Sequence, residues 1–424
     1  MAVYVISDGI AKAMPFLVFP IVAYYLTREE FGLVNNYQVL LGIIAPFVGL
    51  SASSYFAVDY YRKSINNKAL YNNIIYFNFI LLTIVTIIIS LMSRVITDLT
   101  ALTIKWIYLA LLSSAFMIFI DLFLTRLRME ERARFFGTYN VLKSALSALL
   151  TVLFLVGLKM TWEGRIYSIF LTTVVAGSVA ILFTKRFIVK LHRPDFKQMK
   201  SLLLFGLPLL PHNLSIWIRA GFDKLFITNS LGLAENGMYS FAVTISTVFT
   251  MFSGAFFAAF SPYAYKALAQ NESEGLEKRD RAKLGIVKKS YIFLAGYFFL
   301  LVAGYFASLI FVHFFFKEKY GESLEYLPFL LAFNFFNAAY IFVSMMVYYS
   351  KSTKYLGLIT IFASFIQAFL VMVLVNQIGA KGAAISAMVV SILTLIAVYF
   401  YSHKVYPMPW LSFFKKMSFT GKKT

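Results

Sequence analysis

The chain has 424 residues, of which 60% are hydrophobic and only 14% charged. Soluble domains carry about a quarter charged residues, so this composition cannot supply a water-exposed surface and most of the chain must face lipid. The absence of cysteine excludes disulfides and thiolate metal sites, and the net charge of +20 is sorted by topology, not gathered into a nucleic-acid patch.

A helix needs about 20 mainly apolar residues to cross roughly 30 Å of hydrocarbon. Twelve stretches qualify, at 2–24, 32–56, 71–92, 105–125, 138–158, 166–184, 202–227, 237–262, 290–312, 326–349, 355–375 and 382–402. The expected fold is an all-α polytopic membrane protein of twelve transmembrane helices, in two pseudo-symmetric six-helix lobes. The first span is expected to stay in the membrane, being too long for a cleaved leader and lacking a basic start and a small-residue cleavage pattern. It carries Asp8 and Lys12, four residues apart on one helix face, followed by Pro15 and Pro20. Asp59 stands beside Arg62 and Lys63 at the end of the second span, where a solvated rim is expected. Asp121 and Lys143 flank a short turn holding Arg126, Arg128, Arg132 and Arg134, and are placed to pair across it.

The seventh span opens with Pro208 and Pro211, followed by His212, Arg219, Asp223 and Lys224. Arg219 and Asp223 again share a face at a separation of four. A proline inside a helix removes one hydrogen bond and crowds the preceding turn. The freed carbonyls need protein or water as partners. Pro15, Pro20, Pro208 and Pro211 are therefore candidate hinges, and spans 1 and 7 are expected to border a polar cavity. Lys12, Arg219, Lys224 and His212 are candidate substrate contacts there, and Asp8 and Asp223 candidate ion-coupling carboxylates. The competing reading has the charges merely neutralising one another to hold the spans together. The small excess of cations within the spans favours an anionic head group over a cationic drug.

Lys and Arg remain in cytoplasmic loops. With the N-terminus inside, cytoplasmic segments carry 27 of these residues and external loops and rims 8, Arg165 among the latter. Both termini are therefore expected in the cytoplasm, with the basic residues meeting anionic lipid. The longest loops, 185–200 and 263–289, fall on the same side. The expected domains are a first lobe (1–200, including the connecting loop 185–200), a second lobe (201–402) and a basic tail (403–424). In the tail, Pro407, Pro409, Trp410 and Lys415–Lys416 suggest an interfacial anchor.

An internal repeat supports two lobes. Leu26, Glu30 and Gly32 match Leu231, Glu235 and Gly237 at a constant offset of 205, and Gly164 with Ser168 matches Gly382 with Ser386. Six spans per half make these parallel repeats about an axis along the membrane normal. No catalytic constellation is present: there is no phosphate loop, nucleophile motif or suitably spaced carboxylate pair. His192, His212, His313 and His403 show no metal-ligand spacing. No enzyme, metal or cofactor is expected, and no nucleic-acid partner.

Residues 19–32, FPIVAYYLTREEFG, and Phe205 to Ile227, FGLPLLPHNLSIWIRAGFDKLFI, resemble the first-helix and seventh-helix signatures of the Wzx-type O-antigen and polysaccharide repeat-unit flippases. These belong to the multidrug/oligosaccharidyl-lipid/polysaccharide exporter superfamily. The resemblance implies two six-helix lobes around a central cavity in the bacterial inner membrane. It implies transfer of an undecaprenyl-diphosphate-linked oligosaccharide to the periplasmic leaflet by alternating access, with polysaccharide-assembly proteins as further partners. It casts Lys12 and Arg219 as diphosphate or acidic-sugar contacts, and Lys224 stands where the family more often has arginine. Coupling to a proton or sodium gradient would run through Asp8 or Asp223. The alternatives are a multidrug antiporter of the same superfamily and a membrane glycan polymerase or glycosyltransferase. The latter would need acid–base chemistry and a large external loop, neither of which the sequence offers.

Overall fold

The computed structural model describes residues 2–62, 67–185, 194–272 and 276–411. All its secondary structure among these residues is helical. Twelve helices are long and apolar enough to cross a membrane. Spans 1 to 6 are Ile6–Tyr25, Arg28–Gly49, Lys68–Leu91, Ile104–Met129, Ala133–Gly157 and Trp162–Thr184. Spans 7 to 12 are Phe196–Leu231, Leu233–Gln270, Glu277–Phe315, Leu327–Tyr349, Thr353–Ile378 and Lys381–Val405.

Local chemistry sets several helix ends. Thr27 caps span 2 reciprocally with Glu30: the Glu30 amide donates to Thr27 Oγ1 at 3.2 Å, and the Thr27 amide donates to Glu30 Oε2 at 2.8 Å. Asp195 Oδ1 accepts from the amides of Lys197 (2.9 Å) and Gln198 (3.3 Å) to start span 7. Span 2 stops at Gly49, earlier than its hydropathy suggests. Leu50 and Ser51 take left-handed conformations (φ 39° and 54°), and a separate helix, Ala52–Arg62, follows. On that helix Asp59 is buried at 8% exposure and not on a solvated rim.

The basic segment 263–289 is not a loop over its described residues. Helices Leu233–Glu272 and Leu276–Phe315 each run 40 residues, or about 60 Å at 1.5 Å per residue. That is twice the ~30 Å of hydrocarbon. Glu277 and Arg281, one turn apart, pair at 2.5 Å on the polar part of this extension.

By its internal contacts the chain forms two compact units, Met1–Phe241 and Ala242–Thr424. In the first, a core of Leu50, Phe56, Tyr71, Ile74, Leu122 and Leu202 ties spans 3, 4 and 7 to the Ala52–Arg62 helix. The repeated motifs also meet in this unit. A Cβ on Gly32 would lie 2.5 Å from the Leu233 carbonyl oxygen, and one on Gly237 would overlap the Arg28 carbonyl. Only glycine permits such a close backbone approach. Beside it, Asn36 Nδ2 donates to Thr228 Oγ1 (3.0 Å) and the Thr100 carbonyl (2.9 Å), and Asn236 Nδ2 donates to Asn36 Oδ1 (2.8 Å).

The second unit is built on Phe260, Ile286, Phe342, Met346, Val398 and Trp410. Trp410 is buried at 6% exposure, its carbonyl accepts from the Tyr291 hydroxyl at 2.8 Å, and the Pro407 carbonyl accepts from Lys283 Nζ at 2.9 Å. The start of the tail is thus part of the packed core, not an interfacial anchor. Lys415 and Lys416 lie outside the described residues.

Candidate functional site

Span 1 packs lengthwise on span 5. Its helix continues without interruption through Pro15 and Pro20, so the break expected in both opening helices occurs in span 7 alone. Asp8 and Lys12 form the expected one-turn ion pair at 2.7 Å, with both side chains substantially exposed. Lys143 on span 5 lies within electrostatic reach of Asp8 and also of Asp121 on span 4. In the Arg-rich turn beyond them Glu130 bridges two of the four arginines, Arg126 at 2.6 Å and Arg132 at 3.2 Å. Asp121 and Lys143 do not pair across the turn. They face a cavity of about 220 Å³ among spans 1, 4, 5 and 6, together with Pro15, Thr151, Arg165 and Thr172.

Arg165 is the surprise in this cavity. The hydropathy reading leaves it on an external rim, yet it turns inward. Its Nη1 donates to Thr151 Oγ1 at 2.7 Å and Ser168 Oγ at 3.1 Å. Two features place it there. Span 5 ends in a π-turn, Leu153–Gly157, just beyond Thr151. Gly164 lets the start of span 6 lie close to Phe154 and Met160, where a Cβ would come within 3.1 Å and 2.7 Å of theirs. The sequence signal was the Gly164/Ser168 repeat, which flags the helix crossing but not the residue between.

Span 7 is broken twice, into three α-helical segments. An α-helix, Phe196–Gly206, passes through a 3₁₀ turn, Leu207–Leu209, into a second α-helix, Leu210–Trp217. A π-turn, Ile218–Phe222, then leads to the last segment, Asp223–Leu231. Pro208 sits in the 3₁₀ turn and Pro211 at the start of the following helix, as fixed φ and a missing donor favour. Gly206 approaches the Leu50 carbonyl too closely for any Cβ, so the first break lies against the end of span 2. Mid-helix π-turns frequently mark functional positions, and this one carries Arg219.

Between spans 2 and 7 runs a groove of about 400 Å³, lined by Gln38, Pro46, Asn213, Trp217, Gly221 and Lys224. The Trp217 indole N–H donates to the Val39 carbonyl at 3.2 Å, which fixes the ring. Lys224 Nζ lies 3.4 Å from Asn35 Oδ1. Asp223 is buried beneath it, accepting from the Tyr239 hydroxyl at 2.5 Å and the Lys224 amide at 2.8 Å. The carboxylate thus turns to Tyr239, and no ion pair with Arg219 forms. Arg219 is half-buried in the π-turn, and His212 is exposed beside Asn213. His313 meets Phe314 edge-on and His403 stacks on Tyr399, while His192 lies outside the described residues.

The structure therefore gathers Pro15 with Asp121, Lys143 and Arg165 around one cavity, with the Asp8–Lys12 pair outside its lining but within electrostatic reach of Lys143. Lys224 joins Trp217 and Asn213 at another. Sequence reasoning missed Arg165, Trp217, Asn213 and Gln38, because neutral amides and a lone tryptophan carry no signal in a hydropathy profile. Among the described residues no cluster of His, Asp and Glu is arranged to hold a metal.

This architecture is that of a multi-pass membrane protein with the fold of the MOP superfamily. It is similar to an inward-facing multidrug-resistance MATE transporter of that superfamily, with TM-score 0.70, 19% identity, and coverage of 92% of this chain and 94% of the other. It is also similar to a MOP-superfamily transporter from Pyrococcus furiosus described as having reversed binding-pocket polarity, with TM-score 0.57, 20% identity, and coverage of 95% and 94%. The chain belongs to the polysaccharide biosynthesis protein family, whose profile matches residues 1–268. An uncharacterized membrane protein of Haemophilus influenzae is 25% identical over 279 residues, which is 63% of this chain and 65% of that protein. A second H. influenzae protein, from the Lsg locus, is also 25% identical over 279 residues, spanning 64% and 66% of the two chains. The match thus spans about two thirds of the length of these relatives.

Proposed function

We propose that the protein is a flippase that moves a lipid-linked oligosaccharide from the cytoplasmic to the periplasmic leaflet of the bacterial inner membrane. The observation that carries this reading is the lining of the groove between spans 2 and 7. Trp217 offers an aromatic ring to a sugar, the Gln38 and Asn213 amides suit hydroxyls, and Lys224 suits a phosphate. Sugar hydroxyls and phosphates cross hydrocarbon poorly, since each unpartnered polar group costs several kcal/mol. The protein need only supply replacement partners while the prenyl tail stays in lipid, and no bond is made or broken. Two supports for the reading are that a transporter of similar fold is described in both inward-facing and outward-facing conformations, and that the chain's family is named for polysaccharide biosynthesis. Undecaprenyl diphosphate is the carrier this chemistry suits. A proton or sodium gradient working through Asp8 or Asp223 is the proposed drive. Both termini are proposed to lie in the cytoplasm, as the Lys and Arg distribution suggests, and polysaccharide-assembly proteins are the proposed partners.

Removing one charge-assisted contact worth about 1.5–3 kcal/mol weakens head-group binding at least about ten-fold. Lys224→Ala and Trp217→Ala are therefore expected to lower surface glycan and to accumulate lipid-linked repeat units inside, at unchanged protein level in the membrane. Full glycan export by both variants would remove the groove from the mechanism. A deletion strain that exports glycan normally but gains drug sensitivity would point to the multidrug antiporter instead.

A further inference from the structure

The cavity among spans 1, 4, 5 and 6 is separate from the groove, and its charges do not balance. Asp121, Lys143 and Arg165 line it, giving two cations and one carboxylate. Asp8, the other acid within electrostatic reach of Lys143, is engaged by Lys12 at 2.7 Å. Arg165 meets only neutral hydroxyls, through one of its nitrogens. Among the described residues its other N–H donors find no acceptor, and the Lys143 ammonium makes neither a hydrogen bond nor an ion pair. The Thr172 hydroxyl, on a residue 6% exposed that also lines the cavity, has no hydrogen-bond partner either. Cations within a membrane span are costly unless paired or hydrated. The fold itself does not demand the arginine. At the matching position of the second repeat, directly after Gly382, stands Ala383, fully buried.

We propose that this cavity binds one small monovalent anion, of chloride size, between Arg165 and Lys143, with the shielded Thr172 hydroxyl rotating inward as a further donor. One negative charge cancels the surplus of one positive charge. The space of about 220 Å³ admits such an ion with several waters, each water occupying about 30 Å³ in the liquid. The anion would tie span 5, through Lys143, to span 6, through Arg165 and Thr172, independently of what the groove carries.

The test is thermal unfolding of the full-length protein in detergent, titrating chloride or bromide against gluconate at constant ionic strength. An ion that binds only the folded state raises the Tm by mass action. The wild type is expected to show a saturable rise with either halide and none with gluconate. Arg165→Gln removes the saturable rise, Thr172→Val weakens the halide affinity several-fold, and Lys224→Ala leaves it unchanged. Should Arg165→Gln fail to fold, Lys143→Gln and Thr172→Val carry the comparison. A wild-type Tm indifferent to halide, or a halide response that none of the cavity substitutions alters, would overturn the proposal. Loss of glycan export in Lys224→Ala with its halide response intact separates this site from the groove.

Discussion

At the scale of single residues, the repeated Leu–Glu–Gly motif has a packing explanation. Glu30 closes the cap on Thr27, and Gly32 and Gly237 let two helix starts touch through their backbones. Thr27 and Glu30 stand three apart, so the capping box was legible in principle, though the hydropathy reading passed it over. The reason for the glycines was not, since the partner backbone lies some 200 residues away in sequence. Gly237→Ala would force a methyl group into the Arg28 carbonyl, and overpacking of this kind typically costs about 1–3 kcal/mol. Gly285→Ala meets nothing within 4 Å in its helix, and the better helix former is expected to be neutral or to stabilise by up to ~1 kcal/mol. Thermal unfolding of the two variants should therefore show a clear loss for the first and none for the second. Equal Tm values would show that the close approach is slack.

The elements show where hydropathy reasoning succeeds and where it stops. Each of the twelve expected spans has an observed counterpart, because twenty apolar residues have no other stable use. The polar continuation of spans 8 and 9 was read as a loop because charge density, taken alone, cannot distinguish a solvated helix from an irregular segment. The one-turn Glu277–Arg281 pair was the overlooked cue. Across this extension Lys289 Nζ bonds the Tyr263 hydroxyl at 2.6 Å. With no native cysteine, the double variant Tyr263→Cys/Lys289→Cys is expected to cross-link efficiently with a short bifunctional maleimide. Sparse cross-linking would mean that the two helices part soon after leaving the apolar region. The breaks in span 7 were half legible: its prolines announced the 3₁₀ turn, whereas nothing in the residues announced the π-turn at Ile218–Phe222.

For the whole molecule, the number of spans followed from apolar length, but the polar cavity of the first unit did not. Asp121, Lys143 and Arg165 come from three different helices, and their convergence depends on crossings that no linear pattern encodes. Charge counting put Arg165 outside for the same reason, since it weighs how near a residue lies to a helix end and not which way it turns. Orientation rests on the uneven distribution of Lys and Arg, and it has its own check. Lys159→Cys is expected to react with a membrane-impermeant maleimide on intact spheroplasts, and Lys278→Cys only after permeabilisation. The opposite pattern would invert the topology and with it the direction of transfer.

The bare contact at Gly32 and Gly237 has one more consequence. Interlocked side chains resist turning as strongly as they resist parting, because every knob must leave its hole. Gly32 and Gly237 offer no side chain to interlock, so resistance to turning at this point falls to the Asn36–Asn236 hydrogen bond beside them. Drawing the helices apart would break that bond where no water can replace it, whereas a small turn about it keeps it, so rotation is the cheaper motion at this joint.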